Sequence, residues 1–232
     1  MSDQDELKKA AAEKALELVR DGMLLGLGSG STANYFTEGV GRLVAEGMKL
    51  LAVPTSRATA ALAAANGIPI LTELIGQIDL TVDGADEVDE KLNLIKGRGG
   101  ALFREKVVAA ASKRLVVVVD ESKIVKQLGV GVVPVEIVGF LWRSTAARLA
   151  SLATSLTMRG GEETPYITDN GNLILDLKID GGITDAPALA KSLKGTIGVV
   201  EHGLFIGMAD TCIVSGPDGP LVVGRLSGRA VT

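Results

Sequence analysis

The chain is poor in the side chains that most often carry chemistry. In 232 residues it has one histidine, His202, and one cysteine, Cys212. A single histidine leaves almost no material for a histidine metal site or a histidine general base, so acid–base work falls to carboxylates and lysines. A single cysteine excludes an intrachain disulfide and suits a reducing compartment. Aromatic residues make up only 3% of the chain while hydrophobic residues make up 47%, so the core must come from Ala, Val, Leu and Ile. No basic tract stands out and the formal net charge is −4, which argues against nucleic acid as a partner. No apolar segment approaches the length of a membrane span. The opening SDQDELKKAAAEKALELV is charged and amphipathic, unlike a secretory signal. The expectation is a soluble, cytoplasmic protein.

What is abundant is glycine, with 29 residues grouped at the ends of apolar runs, as in the turns of an α/β protein. A helix is expected over 3–20, with Asp3 and Glu6 at capping-box spacing. Strands are expected at 23–27, 49–53, 68–71, 78–82 and 115–119, with helices over 32–46, 57–66 and 101–112 between them. Strands alternating with helices predict a Rossmann-like, mostly parallel sheet with helices on both faces. Near residue 131 the pattern changes. A strand at 132–138, a helix at 144–156, strands at 166–168 and 173–179 around Asp169-Asn-Gly-Asn172, a helix at 185–193 and a strand at 199–205 follow. That order is β-α-β-β-α-β, a ferredoxin-like α+β unit. The expected division is 1–130 with 205–232 for the first domain and 131–204 for the second. Strands at 211–214 and 221–226 are expected to return to the first as a hairpin.

Ligands of open parallel sheets bind outside the carboxyl ends of the strands. Those ends here carry Gly28-Ser-Gly-Ser-Thr32, Asp83-Gly-Ala-Asp86 and Asp120-Glu-Ser-Lys123, and Lys96-Gly-Arg-Gly-Gly100 opens a helix expected to approach the same rim. The glycine loop departs from the dinucleotide fingerprint, because Ser31 holds the third glycine position and the next strand ends in Pro54-Thr-Ser56 without a carboxylate. It has no lysine, so it is not a P-loop either. What remains is a nest of N–H groups and hydroxyls suited to one small anion, or an ordinary glycine turn. Asp83 and Asp86 could grip sugar hydroxyls, act as acid and base, join an oxygen-ligand metal site, or simply cap a turn. Glu105 reads by position as an ordinary first-turn Glu, and Lys123 as a surface lysine.

Taken together, GLGSGSTA, VDGADEVD, KGRGGALFREK and VVDESK resemble the type A ribose-5-phosphate isomerases, and VPVEI, TDNGNLILD and GVVEHGLF extend the likeness through the second domain. The resemblance implies Glu105 as catalytic base, with Asp83 and Asp86 handling sugar hydroxyls and ring opening. It implies Lys96 as the group that stabilises negative charge. Ser29, Gly30, Ser31 and Thr32 match the phosphate side, and Lys123 and Lys8 match further substrate contacts. Gly84, Ala85, Gly97, Arg98 and Gly99 line the same motifs. Arg98 stands where the family often has a small residue. The implied activity needs neither cofactor nor metal. The implied partners are a pentose 5-phosphate and a second copy of the chain, as homodimer or homotetramer. Two rivals are a sugar-phosphate sensor, weakened because only about twenty residues precede the first strand, and a nucleotide-dependent oxidoreductase, weakened by Ser31 and Pro54.

Overall fold

The structure is a computed structural model that describes residues 3–73 and 76–224. Helix α1 (Asp3–Leu16) leads into β1 (Leu24–Leu27), then α2 (Ser31–Ala45), β2 (Leu51–Pro54) and α3 (Arg57–Ala65). Next come β3 (Leu80–Asp83), the two-residue strands β4 (Glu87–Val88) and β5 (Leu94–Ile95), α4 (Leu102–Ala110) and β6 (Leu115–Asp120). Then follow β7 (Val132–Ile137), α5 (Trp142–Leu149), β8 (Ser155–Met158), β9 (Leu173–Lys178) and α6 (Ala186–Lys194). The last elements are β10 (Val199–His202), β11 (Leu204–Phe205), β12 (Thr211–Gly216) and β13 (Gly219–Gly224). Two compact units result. Described residues within Met1–Ala85, Arg104–Lys123 and Gly207–Thr232 form one, and those within Asp86–Phe103 and Ile124–Ile206 form the other.

The first unit is built on a six-stranded sheet in the order β13-β12-β6-β3-β1-β2. All its pairings are parallel except β12 with β13. Every residue of β6, Leu-Val-Val-Val-Val-Asp, is buried, as expected of a parallel strand covered on both faces. One face packs Leu25, Leu27, Val82, Val116 and Val118 against Ala11, Ala12 and Ala15 of α1 and Phe36 and Val40 of α2. Small alanines let α1 lie close, and each fully buried Leu or Val contributes on the order of 1.5–3 kcal/mol. The other face carries Gly26 and Thr81 under Val108 of α4. Helices therefore cover both faces, as expected. From β1 the order runs to β2 on one side and to β3 on the other, so the topological switch point lies between β1 and β3.

The second unit has an antiparallel four-stranded sheet in the order β10-β7-β9-β8. With α5 and α6 in the sequence, this is the expected β-α-β-β-α-β arrangement. Leu149 and Leu193 from the helices meet Val133, Val135, Ile137, Leu175 and Leu177 from the strands in its core. Asp185 caps α6 by accepting from the Ala188 N–H at 2.9 Å.

Several expected elements differ. The first helix stops at Leu16. Residues 68–71 form no strand; Ile70 makes only a single parallel bridge to Ala52. The helix expected over 144–156 ends at Leu149, because Ser155–Met158 pairs with β9 instead. Residues 166–168 are not a strand, although the Asp169-Asn-Gly-Asn172 turn is present, closed by Thr168 and Asn172. The expected strand at 199–205 breaks at Gly203 into β10 and β11, which enter different sheets, β11 joining β5 and β4. The closing hairpin does return to the six-stranded sheet. Its second strand runs over Gly219–Gly224, so Arg225 and Leu226 lie outside the described residues.

Candidate active site

In the first unit, the glycine loop and Asp83 meet at the switch point. The Gly28 N–H donates to the Val82 carbonyl at 2.9 Å, which brings the backbone of the glycine loop onto the end of β3. Only glycine fits there: a Cβ on Gly28 would lie 2.2 Å from Asp83 Oδ1 and 2.5 Å from its Cα. That contact lets Asp83, 1% exposed, accept the Ser29 N–H at 3.1 Å and the Gly84 N–H at 2.8 Å on the same Oδ1. Gly30 stands at the N-cap of α2 and supplies no capping side chain, so the first-turn N–H groups at Ser31 and Thr32 are left to a ligand or water. Ser31 is exposed and Thr32 half-buried.

Ser29 is also the centre of a hydroxyl cluster that sequence reasoning missed. Its Oγ lies 2.8 Å from both Thr55 Oγ1 and Ser56 Oγ and 3.0 Å from Thr59 Oγ1. Ser56 is at the same time the N-cap of α3, accepting the Thr59 N–H at 3.0 Å. The visible signal was Thr55-Ser56 at the end of β2 with Thr59 one helical turn on; what could not be read is that β2 lies beside β1.

Glu105 sits in the first turn of α4, as its position suggests, and is only 4% exposed, which an ordinary first-turn Glu would not be. Ala85 is half-buried beyond β3. Lys123 closes the short 3-10 turn after β6 and is half-buried. Lys8 lies on α1 with its ammonium 3.9 Å from Asp5, which leaves its phosphate role to the resemblance.

The second unit holds Asp86, Lys96, Gly97, Arg98 and Gly99. Lys96 is 3% exposed, its N–H bound to the Gly203 carbonyl at 2.9 Å and its Nζ 5.6 Å from the centre of the Phe205 ring. Asp86 Oδ2 accepts the Arg98 N–H at 2.9 Å, while the Arg98 guanidinium is exposed, 3.9 Å from Asp86 Oδ1. Gly97 has φ +103°, a turn that carries the chain from Lys96 towards α4. Among the described residues, no group of three or more His, Cys, Asp and Glu is placed to hold a metal ion. None of the described helices is long and apolar enough to cross a membrane.

Fold and site define a Rossmann-like α/β protein with a buried carboxylate and a glycine loop at the switch point of its sheet, joined to an antiparallel α+β unit. The family model described as ribose 5-phosphate isomerase A (phosphoriboisomerase A) matches residues 51–219, and the chain belongs to that family. It is 48% identical over 233 residues to the ribose-5-phosphate isomerase A of Bradyrhizobium diazoefficiens, covering 95% of this chain and 96% of the relative. Ribose-5-phosphate isomerase A 1 of Oceanobacillus iheyensis is 47% identical over 94% of this chain and 98% of its own. A solved D-ribose-5-phosphate isomerase in complex with phospho-erythronic acid superposes with TM-score 0.92 at 38% identity, over 97% of this chain and all of the other. The ribose 5-phosphate isomerase of Plasmodium falciparum gives TM-score 0.92 at 39% identity, over 96% of this chain and all of the other.

Proposed function

We propose that this chain interconverts D-ribose 5-phosphate and D-ribulose 5-phosphate, as an aldose–ketose isomerase of the non-oxidative pentose phosphate pathway in the cytoplasm. The observation that carries the reading is membership of the isomerase family along nearly the whole chain. Asp83-Gly-Ala-Asp86 and Lys96 through Glu105 keep the family's motifs, apart from Arg98 where a small residue is common.

The chemistry suits a histidine-poor chain. Glu105 removes the C2 proton of the open-chain aldose and returns it to C1 on the same face. The C1 carbonyl becomes a hydroxyl, the C2 hydroxyl becomes a carbonyl, and a cis-enediolate lies between. Lys96 stabilises the charge that develops on oxygen. Asp83 and Asp86 handle the hydroxyl protons and the opening of the ring. Ser29 to Thr32 take the phosphate, with Lys123 and Lys8 adding positive charge. The phosphate does not react, and holding it orients the carbons that do. Close backbone contact comes from Gly84, Ala85, Gly97, Arg98 and Gly99.

The test is incubation with ribose 5-phosphate in deuterated water, read by NMR. Ketose carrying deuterium at C1 is expected, and absence of ketose would sink the proposal. Phospho-erythronic acid, which a related isomerase binds, should compete with substrate. Self-association as a dimer or tetramer is part of the proposal. It is supported by the exposed Phe140, Leu141 and Ile197 of the second unit, brought together where the Val138 N–H meets the Gly198 carbonyl. Light scattering of the wild type and of Phe140→Asp tests it; a monomeric wild type would refute it.

A further inference from the structure

We infer that Arg159, held by Asp176, is a positioning residue that sets the loop carrying Lys96; the inference rests on the isomerase reading above. The loop Lys96–Gly100 is glycine-rich, and glycine is the residue whose backbone is most costly to order. Something must hold it for Lys96 to act from one place.

Arg159 follows directly on Met158, the last residue of β8, and its backbone N–H donates to the Ile174 carbonyl at 3.0 Å. Its side chain is 15% exposed. One edge of the guanidinium is taken by Asp176 of β9: Nε donates to Oδ2 at 2.9 Å and Nη2 to Oδ1. The remaining nitrogen, Nη1, donates to two successive carbonyls of the loop, Gly97 O at 2.8 Å and Arg98 O at 3.0 Å. These four hydrogen bonds, two of them to one carboxylate, suit a planar fork with five donors; an ammonium has only three donors and no fork.

The consequence follows from peptide geometry. In a trans peptide, the N–H points opposite to the C=O of the same plane. Drawing the Gly97 carbonyl to Arg159 turns the Arg98 N–H the other way, where it meets Asp86 Oδ2 at 2.9 Å. Drawing the Arg98 carbonyl to Arg159 likewise turns the Gly99 N–H away from Arg159. One half-buried cation thus orients two peptide planes between Lys96 and α4, and through one of them it holds Asp86. Neither Arg159 nor Asp176 needs to touch substrate for this. Arg159 was not among the residues that the sequence singled out.

The experiment compares wild type, Arg159→Met, Arg159→Lys and Asp176→Asn by steady-state kinetics with ribose 5-phosphate, thermal melting and amide hydrogen exchange over 96–103. The wild type is assayed first. If it yields no ketose, the isomerase reading falls, and the exchange arm alone decides whether the clamp exists. Arg159→Met is expected to lower kcat about 10- to 100-fold, the size of one lost charge-assisted hydrogen bond. KM should move less than about threefold, and exchange should speed up within 96–103 ahead of the rest of the unit. Arg159→Lys should recover only part of kcat. Asp176→Asn should fall between it and the wild type, because the fork keeps its loop bonds and loses its anchor. A purely structural ion pair predicts a lower melting temperature with unchanged kcat and unchanged exchange at 96–103; that result overturns the inference. Should Arg159→Met not fold, the same two readouts on Arg159→Lys and Asp176→Asn decide it.

Discussion

A methyl group at position 28 has nowhere to go. In Gly28→Ala the new Cβ would lie 2.2 Å from Asp83 Oδ1, 2.3 Å from Cγ and 2.5 Å from the Cα. Carbon atoms in ordinary contact are about 3.5–4.0 Å apart. Turning the Asp83 side chain clears the first two conflicts, but the third is with backbone, so the ends of β1 and β3 must part by about 1 Å. Parting them stretches the Gly28 N–H to Val82 hydrogen bond, now 2.9 Å, and the Ser29 N–H to Asp83 bond, now 3.1 Å. Overpacking costs about 1–3 kcal/mol and a strained hydrogen bond about 0.5–1.5 kcal/mol, so roughly 2–4 kcal/mol in all. For a chain of this size that is a fall in Tm of roughly 4–16 °C. Displacing a reacting group by an ångström costs about 100-fold in rate, so kcat/KM should fall by at least that factor in molecules still folded. The control is Gly139→Ala, whose Cβ would meet only Leu173 at 3.9 Å and should leave both quantities unchanged. Calorimetry and a coupled ketose assay measure them. Wild-type Tm together with wild-type kcat/KM in Gly28→Ala would refute the claim that this close approach builds the site.

Glu105→Gln keeps the side chain's size and removes its basicity; kcat should fall about 100- to 10,000-fold with substrate binding largely kept, and a wild-type rate would remove Glu105 from the base role. The Asp79 carboxyl is held below its ordinary range, first by the hydrogen bond from Lys113 at 2.7 Å and then by the Leu24 N–H at 2.9 Å. A depressed carboxyl pKa contributes stability above the unfolded value of about 4 and loses it as pH falls through the folded value. Asp79→Asn should therefore be less stable by about 1 kcal/mol at pH 7, with the gap closing below about pH 4 in urea titrations; a gap that widens in acid would contradict the sign. Burial pushes the Cys212 thiol up to about 12, so it should resist a thiol reagent at pH 8 in the folded protein and react fully in urea. Labelling of native protein at the rate of a free cysteine would show that the strand opens.

Legibility followed the range of the forces involved. The run at 115–119 read correctly as a strand because burial on both faces needs only local apolar residues, and all of β6 is buried. The strands at 87–88 and 94–95 were unreadable, because two residues carry no periodicity and only pairing makes them strands; 204–205 read as strand, but its separation from 199–202 rests on pairing with β5. The helix expected to reach 156 lost Ser155 and Leu156 to β8 for the same reason, because pairing with β9 outweighs local propensity. The candidate site divides along the same line. Gly28 and Asp83 were legible because a close backbone approach excludes every other residue at 28 and leaves a glycine in the sequence as its trace. Thr55, Ser56 and Thr59 left no such trace, since a hydroxyl that bonds across neighbouring strands looks like one that caps a turn. Arg159 left none either. It lies 61 residues from Arg98, and the carbonyls it binds are features every residue possesses, so their capture cannot be written in side-chain identity. A residue that acts by orienting backbone shows itself only once the fold has placed that backbone within its reach.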